Sequence, residues 1–216
     1  MLDETRRTET GAQPTGRKID LTVSPCLPVR QEATDVSAAA DANAGAAWCP
    51  VMEKALAGVD ETWSIERQMI WEDDWTSICA QDRADRAKNP RGGPAPEGYP
   101  RLNQGSDSWD RAELLTQLTG QESVVRVFPS GKDEWTINRI IRDQLLDNKP
   151  VLVSSRDTDP GEQRLAHGLE SAHVYEVTGV EHGRIVLHNP WGFKHPEPLE
   201  TGEFARSFRP WYSTLA

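Results

Sequence analysis

Two residues near the carboxyl end of the chain, His173 and Asn189, have side chains and a spacing that suit acid–base chemistry. They lie near the start and at the end of two predicted strands, residues 172–180 and 184–189, which a tight loop joins. A hairpin brings such ends together. An imidazole that an asparagine amide orients is the base half of a Cys-His-Asn site.

The predicted register decides whether the two side chains share a face of the hairpin. A three-residue loop pairs Val180 with Arg184 and sets His173 opposite Trp191, diagonal to Asn189. Diagonal neighbours lie about 7–8 Å apart at the backbone, which is within reach of side chains. The spacing also fits polar residues on the solvated face of an ordinary hairpin, so both interpretations stay open at this level.

Hydrophobic periodicity predicts the elements that must position this pair. Four helices are predicted, with Thr136 able to cap the last and Gly120 ending the third, at residues 48–59, 61–80, 110–118 and 136–148. Besides the hairpin, strands are predicted around residues 19–23, 124–128 and 150–154. Helices followed by strands indicate an α+β fold with a mainly antiparallel sheet.

The segments GLESAHVYEVTGV, residues 168–180, and IVLHNPWG, residues 185–192, resemble the calpain-type cysteine peptidases. The resemblance implies a papain-like core in which His173 is the catalytic base, Asn189 orients its ring and Trp191 shields the pair. The chain departs from the family at three positions: Ala172 replaces the usual Gly, Val174 the usual Ala and His188 the usual Arg. None of these differences removes a reacting group.

Weaker similarity extends over most of the chain. The segments WCPVMEKALAG at 48–58, LTG at 118–120 and EFARSF at 203–208 each resemble a part of that peptidase domain. Residues 1–17 have almost no large apolar side chain, so we expect this N-terminal segment to be disordered. The expected partial peptidase domain spans residues 18–216, with a linker at 31–47 and an insertion containing a Pro/Gly loop at 60–98.

The nucleophile of the family has no counterpart here. It lies in a Gly-Asp-Cys-Trp stretch well before the Trp…Glu-Lys-Ala helix, and residues 1–47 contain no such motif. Cys26 lies between prolines, Cys49 in the matched helix and Cys79 in the insertion, so each is interpreted as a packing residue. Ser108, in QGSDSW, imitates the motif, but that stretch already matches another part of the domain.

Charge and composition exclude several classes of function. The 216 residues include 24 basic and 34 acidic side chains, and a net charge of −10 argues against nucleic acid or an anionic membrane as partner. Three cysteines cannot form a disulfide framework, and no signal peptide or membrane-spanning run is seen, so we expect a cytoplasmic protein. The remaining histidines lack the spacing of a zinc site and are expected to be ordinary surface residues: His167, His182, His188 and His195.

Together these features predict the His/Asn part of a calpain-like cysteine-type endopeptidase domain, hydrolysing a protein or peptide through an acyl-enzyme. The isolated chain is expected to be inactive, with the missing cysteine supplied by an upstream segment or a partner chain. No cofactor is predicted from the residues, and calcium is implied by the resemblance alone. The alternative is an inactive pseudo-peptidase that binds peptides or a protein partner.

Overall fold

The computed structural model describes residues 1–22, 48–84, 90–129, 133–158, 162, 164–191 and 193–216, without the side chains of 48–51 and 53. Within these ranges the chain divides into two compact units. The first comprises residues 1–19 and 106–216, and the second comprises residues 20–22 and 48–105. Cys26 and the predicted linker at 31–47 lie outside the described residues.

Eight strands of the described chain are β1 Leu2–Thr8, β2 Gly11–Ile19, β3 Ser123–Val127, β4 Leu152–Ser155, β5 Val174–Glu181, β6 Arg184–His188, β7 Leu199–Glu200 and β8 Phe208–Leu215. They form one sheet in the first unit, in the order β1-β2-β3-β8-β4-β5-β6-β7. Every neighbouring pair is antiparallel. The predicted α+β class with an antiparallel sheet is confirmed.

Six helices are described: α1 Trp48–Ala57, α2 Ile65–Ala84, α3 Gly98–Leu102, α4 Ser108–Thr119, α5 Glu134–Leu146 and α6 Thr201–Ser207. The predicted stop at Gly120 is confirmed, because this residue ends α4 with a φ of 69°, in the left-handed region. The prediction that Thr136 caps α5 is wrong, because the helix begins at Glu134. Asp133 precedes the helix, and its carboxylate accepts the Thr136 N–H at 3.1 Å. No helix in the described ranges is long and apolar enough to cross a membrane.

The prediction that residues 1–17 are disordered is wrong, because β1 and β2 form a hairpin at the edge of the sheet. Ala12 is fully buried, and the Arg7 guanidinium donates from Nε to Glu113 on α4 at 2.8 Å. Gly11 pairs with Val124 on β3, and a Cβ there would lie 2.0 Å from a neighbouring carbonyl oxygen, so the close approach requires glycine. Contacts with residues distant in sequence therefore order a segment that has almost no large apolar side chain.

Helices cover both faces of the sheet in the first unit. On β8, Ser213 donates from Oγ to the Ser108 carbonyl of α4 at 2.7 Å, whereas its neighbour Tyr212 belongs to the apolar core. Since successive strand residues point to opposite faces, α4 lies across the sheet from that core. The core includes residues of α5, of α6, of the start of β8 and of the hairpin that carries the candidate site: Ile137, Ile141, Phe204, Phe208, Tyr175, Val177, Ile185 and Leu187.

The second unit holds α1, α2 and α3, with the Pro/Gly loop fastened to the long helix. On α2, the indole N–H of Trp71 donates to the Pro96 carbonyl at 2.9 Å, and that of Trp75 donates to the Gly93 carbonyl at 3.1 Å. The buried Asp60 carboxylate accepts from the Gly98 backbone N–H at 2.6 Å, at the start of α3. These bonds satisfy polar groups that a free surface loop would leave to water.

Candidate active site

The hairpin that carries the site is tighter than the sequence predicts. His182 and Gly183 alone join β5 to β6, with φ angles of 49° and 81°, as in a two-residue type I′ turn. Glu181 therefore pairs with Arg184, and the predicted pairing of Val180 with Arg184 is wrong. A two-residue loop reverses the predicted parity and would by itself send the two site residues to opposite faces.

A β-bulge corrects this parity. The pairing of β5 with β6 shifts between Val177 and Gly179, which leaves Thr178 without a place in the ladder. The extra residue moves the alternation of side chains by one. His173 and Asn189 therefore point to the same face, which is the buried face of the hairpin.

His173 and Asn189 are joined by a hydrogen bond of 3.1 Å between Nε2 and Oδ1. The fully buried carboxamide of Asn189 also accepts the Trp191 backbone N–H at 3.0 Å and donates from Nδ2 to the Lys194 carbonyl at 3.3 Å. These two contacts identify the amide oxygen, which can only accept. Nε2 of His173 therefore carries the proton, and in the neutral ring Nδ1 is the unprotonated nitrogen.

Two aromatic rings contact the half-buried imidazole. The Trp191 ring lies 4.5 Å from the His173 ring between centroids, tilted by 45°. The Tyr175 ring lies 4.9 Å away, edge-on at 87°, and burial raises the pKa of its phenol above the ordinary value. Apolar cover of this kind excludes water from the His–Asn hydrogen bond and strengthens it.

The backbone of His173 is held by Ser155, at the end of β4. The fully buried Ser155 hydroxyl accepts the His173 N–H at 2.9 Å and donates to the Glu170 carbonyl at 2.7 Å, and the Ser155 N–H donates to the His173 carbonyl at 2.9 Å. The sequence does not single out this residue. Its signal was weak, since it is one of two serines that end a short apolar strand.

The structure places His195 in contact with the site, although the sequence gives no reason to single it out. Its Nδ1 accepts the backbone N–H of Asn189 at 3.1 Å, and its ring stacks on that of His188. His182 lies in the turn, as predicted. His167 lies in a short 3-10 segment, Ala166–Gly168, where Nε2 bonds to Glu203 at 3.0 Å.

None of the candidate nucleophiles whose side chains are described lies in the arrangement that the chemistry requires. Ser108 is 3% exposed, and its Oγ accepts from Arg111 at 2.9 Å rather than from a histidine. Cys79 is buried on α2 of the second unit. The side chains of Cys26 and Cys49 lie outside the description.

Calcium finds no donor set in the part of the chain that the structure describes. No cluster of three or more Asp, Glu, His or Cys side chains is placed there to surround an ion. Calcium prefers six to eight oxygen ligands, so the described residues do not fit the ion that the resemblance implies.

Comparison of the sequence with known protein families and with curated proteins finds no match. The interpretation of the site therefore depends on its own geometry and on the sequence motifs around it. The geometry supplies an oriented imidazole with a defined tautomer, an amide that fixes it, and apolar cover.

Proposed function

We propose that this chain contributes the base half of a cysteine endopeptidase of the calpain type, with a papain-like core. The observation that carries the proposal is the 3.1 Å bond from His173 Nε2 to the fully buried Asn189 amide. A polar pair on a solvated face would not bury its amide or fix it with two further hydrogen bonds. The flanking segments, with Trp191 against the ring, add the sequence motif to the geometry.

In the proposed reaction, Nδ1 of His173 takes the proton of a cysteine thiol, and the thiolate attacks the peptide carbonyl carbon. When the tetrahedral intermediate collapses, the C–N bond breaks and the imidazolium gives its proton to the leaving amine. Water then loses a proton to Nδ1, attacks the thioester and releases the acid and the thiol. Through both steps Asn189 holds Nε2–H, so the ring keeps its orientation as its charge changes.

The proposed nucleophile is a cysteine other than Cys26, Cys49 and Cys79, supplied by an upstream segment or by a partner chain. Reactive thiols have a lowered pKa and lie in partly exposed, electropositive surroundings. Cys79 is 5% exposed, which does not suit that role. The isolated chain is therefore expected to give no turnover of peptide substrates.

A second candidate function is a pseudo-peptidase that binds peptides without cleaving them. The observation that favours it is an exposed aromatic surface beside the pair. Phe193 is 53% exposed and stacks on the Trp191 ring at 5.9 Å between centroids. Such a surface can contact an extended peptide whether or not a thiol is present.

Covalent labelling distinguishes the two functions. The whole natural polypeptide, with any chain that co-purifies, is treated with a peptide-derived electrophile, and the labelled cysteine is mapped by mass spectrometry. We expect one label, outside the three cysteines of this chain, that is lost in His173→Ala. The matched control is His182→Asn, because asparagine also suits the type I′ turn and should leave labelling unchanged. Labelling that persists in His173→Ala refutes the peptidase, and peptide binding without any label supports the pseudo-peptidase.

A further inference from the structure

The backbone N–H of Asn189 has an unusual acceptor. The ladder between β5 and β6 ends at the pair of Glu176 and His188, so the next residue lies beyond the sheet. Asn189 is nevertheless fully buried, and its N–H donates to Nδ1 of His195, six residues later, at 3.1 Å. The His195 side chain thus provides the acceptor that a neighbouring strand would provide within the sheet.

The loop that follows brings this acceptor into place. Lys194 has a φ of 53°, in the left-handed region, and its carbonyl accepts from the side-chain amide of Asn189. The next residue, His195, faces the backbone N–H of Asn189. The His195 ring stacks on the His188 ring at 4.5 Å between centroids, with an angle of 26° between planes. Both the carboxamide and the backbone of Asn189 are therefore held by residues of one short loop.

We propose that His195 is a positioning residue, whose unprotonated Nδ1 fixes the Asn189 backbone and thereby aims its carboxamide at His173. The stacked His188 ring holds the His195 ring at the angle that this bond requires. The catalytic meaning of this arrangement rests on the proposed function, but the hydrogen bond itself does not. A buried backbone N–H left without an acceptor is unfavourable, so loss of Nδ1 shifts the backbone or opens the loop.

Amide hydrogen exchange of the Asn189 N–H in the isolated chain, followed by NMR, tests this role. His195→Leu removes the acceptor and should speed exchange about tenfold or more. His195→Asn places an oxygen where Nδ1 lies and should restore slow exchange, whereas His195→Gln places its oxygen further out and should not. Unchanged exchange in the leucine variant, or an asparagine variant that behaves like leucine, overturns the proposal.

A second readout reports on the site itself. In His195→Leu the Nε2–H resonance of His173 should exchange faster with water, because its acceptor is no longer held. His188→Phe keeps a stacked ring and should match the wild type, whereas His188→Ala should lie between it and His195→Leu. A His173 signal that is the same in all four proteins contradicts the positioning role.

These outcomes separate the inference from the proposed function. If exchange follows the predictions but covalent labelling does not depend on His173, then the peptidase assignment fails and the positioning role stands. If labelling depends on His173 but the His195 variants exchange like the wild type, then the positioning role fails and the peptidase assignment stands.

Discussion

Ser155→Ala is expected to destabilise the chain and to loosen His173, because the Ser155 hydroxyl holds the His173 backbone. The hydroxyl lies at the end of β4 and is fully buried. It accepts the His173 N–H at 2.9 Å and donates to the Glu170 carbonyl at 2.7 Å. Alanine keeps the backbone bond from the residue 155 N–H to the His173 carbonyl but leaves these two groups without their partner.

The expected magnitude follows from those two groups. An unsatisfied buried donor or acceptor costs about 1–3 kcal/mol. Because His173 and Glu170 are only partly buried, water replaces some of the lost bonding, and we expect a total loss of about 2 kcal/mol. With a urea m-value of about 1–3 kcal/mol per molar, the unfolding midpoint should fall by about 1 M.

The assay is urea unfolding of the chain, with Ser154→Ala as the matched control. Ser154 is the preceding residue on β4 and is 9% exposed, so the control makes the same substitution one position away on the same strand. The control should lie within about 0.5 kcal/mol of the wild type. Equal midpoints for the two variants would refute the idea that the Ser155 hydroxyl anchors the site.

Three further predictions concern the pair and its surroundings. Asn189→Leu removes both polar ends of the buried amide, so it should destabilise the chain by about 3 kcal/mol in urea unfolding and abolish slow exchange of the His173 Nε2–H; slow exchange in this variant would contradict the assigned hydrogen bond. Burial raises the pKa of Tyr175 above 10, so the folded chain favours the neutral phenol, and this contribution to stability is complete below pH 10 and lost as pH rises beyond it. Tyr175→Phe should therefore lose less unfolding free energy above pH 10 than the wild type does, and an equal loss would contradict the burial effect. The hydrogen bond from the Glu200 backbone N–H lowers the pKa of Glu203 below its ordinary 4.5. Burial acts against this shift, and nearby His167 adds to it. The stability that this shift contributes is present above pH 4.5 and is lost as pH falls through the folded pKa. In Glu203→Gln the free energy of unfolding should therefore fall less steeply below pH 4.5 than in the wild type, and an equal fall would contradict the assigned shift.

Much of the fold of the first unit follows from local patterns. Helix α4 is predicted by apolar spacing and by the Gly120 stop, and the β5–β6 hairpin by alternating apolar residues around a tight loop. The β1–β2 hairpin is not predicted, because its order depends on pairing with β3 and on the ion pair between Arg7 and Glu113. Such partners lie over a hundred residues away and leave no mark in the local composition.

The pair itself is predicted for a partly wrong reason. The predicted three-residue loop places His173 and Asn189 on one face, whereas the chain has a two-residue turn and a bulge at Thr178. Two errors of one residue cancel. A bulge depends on twist and packing of the whole sheet, so the sequence could not show it. The sequence also does not single out Ser155, and it indicates only an ordinary surface residue at His195, since both roles depend on where folded backbone groups lie.

The measurement that tests the central claim most directly is peptide hydrolysis by the whole natural polypeptide, together with any chain that co-purifies with it. We expect His173→Ala to lower kcat/KM by about 10²–10⁴-fold, the range that a general base contributes, and His182→Asn to leave it unchanged. Robust turnover that survives His173→Ala would contradict the assignment of His173 as the base of a cysteine peptidase.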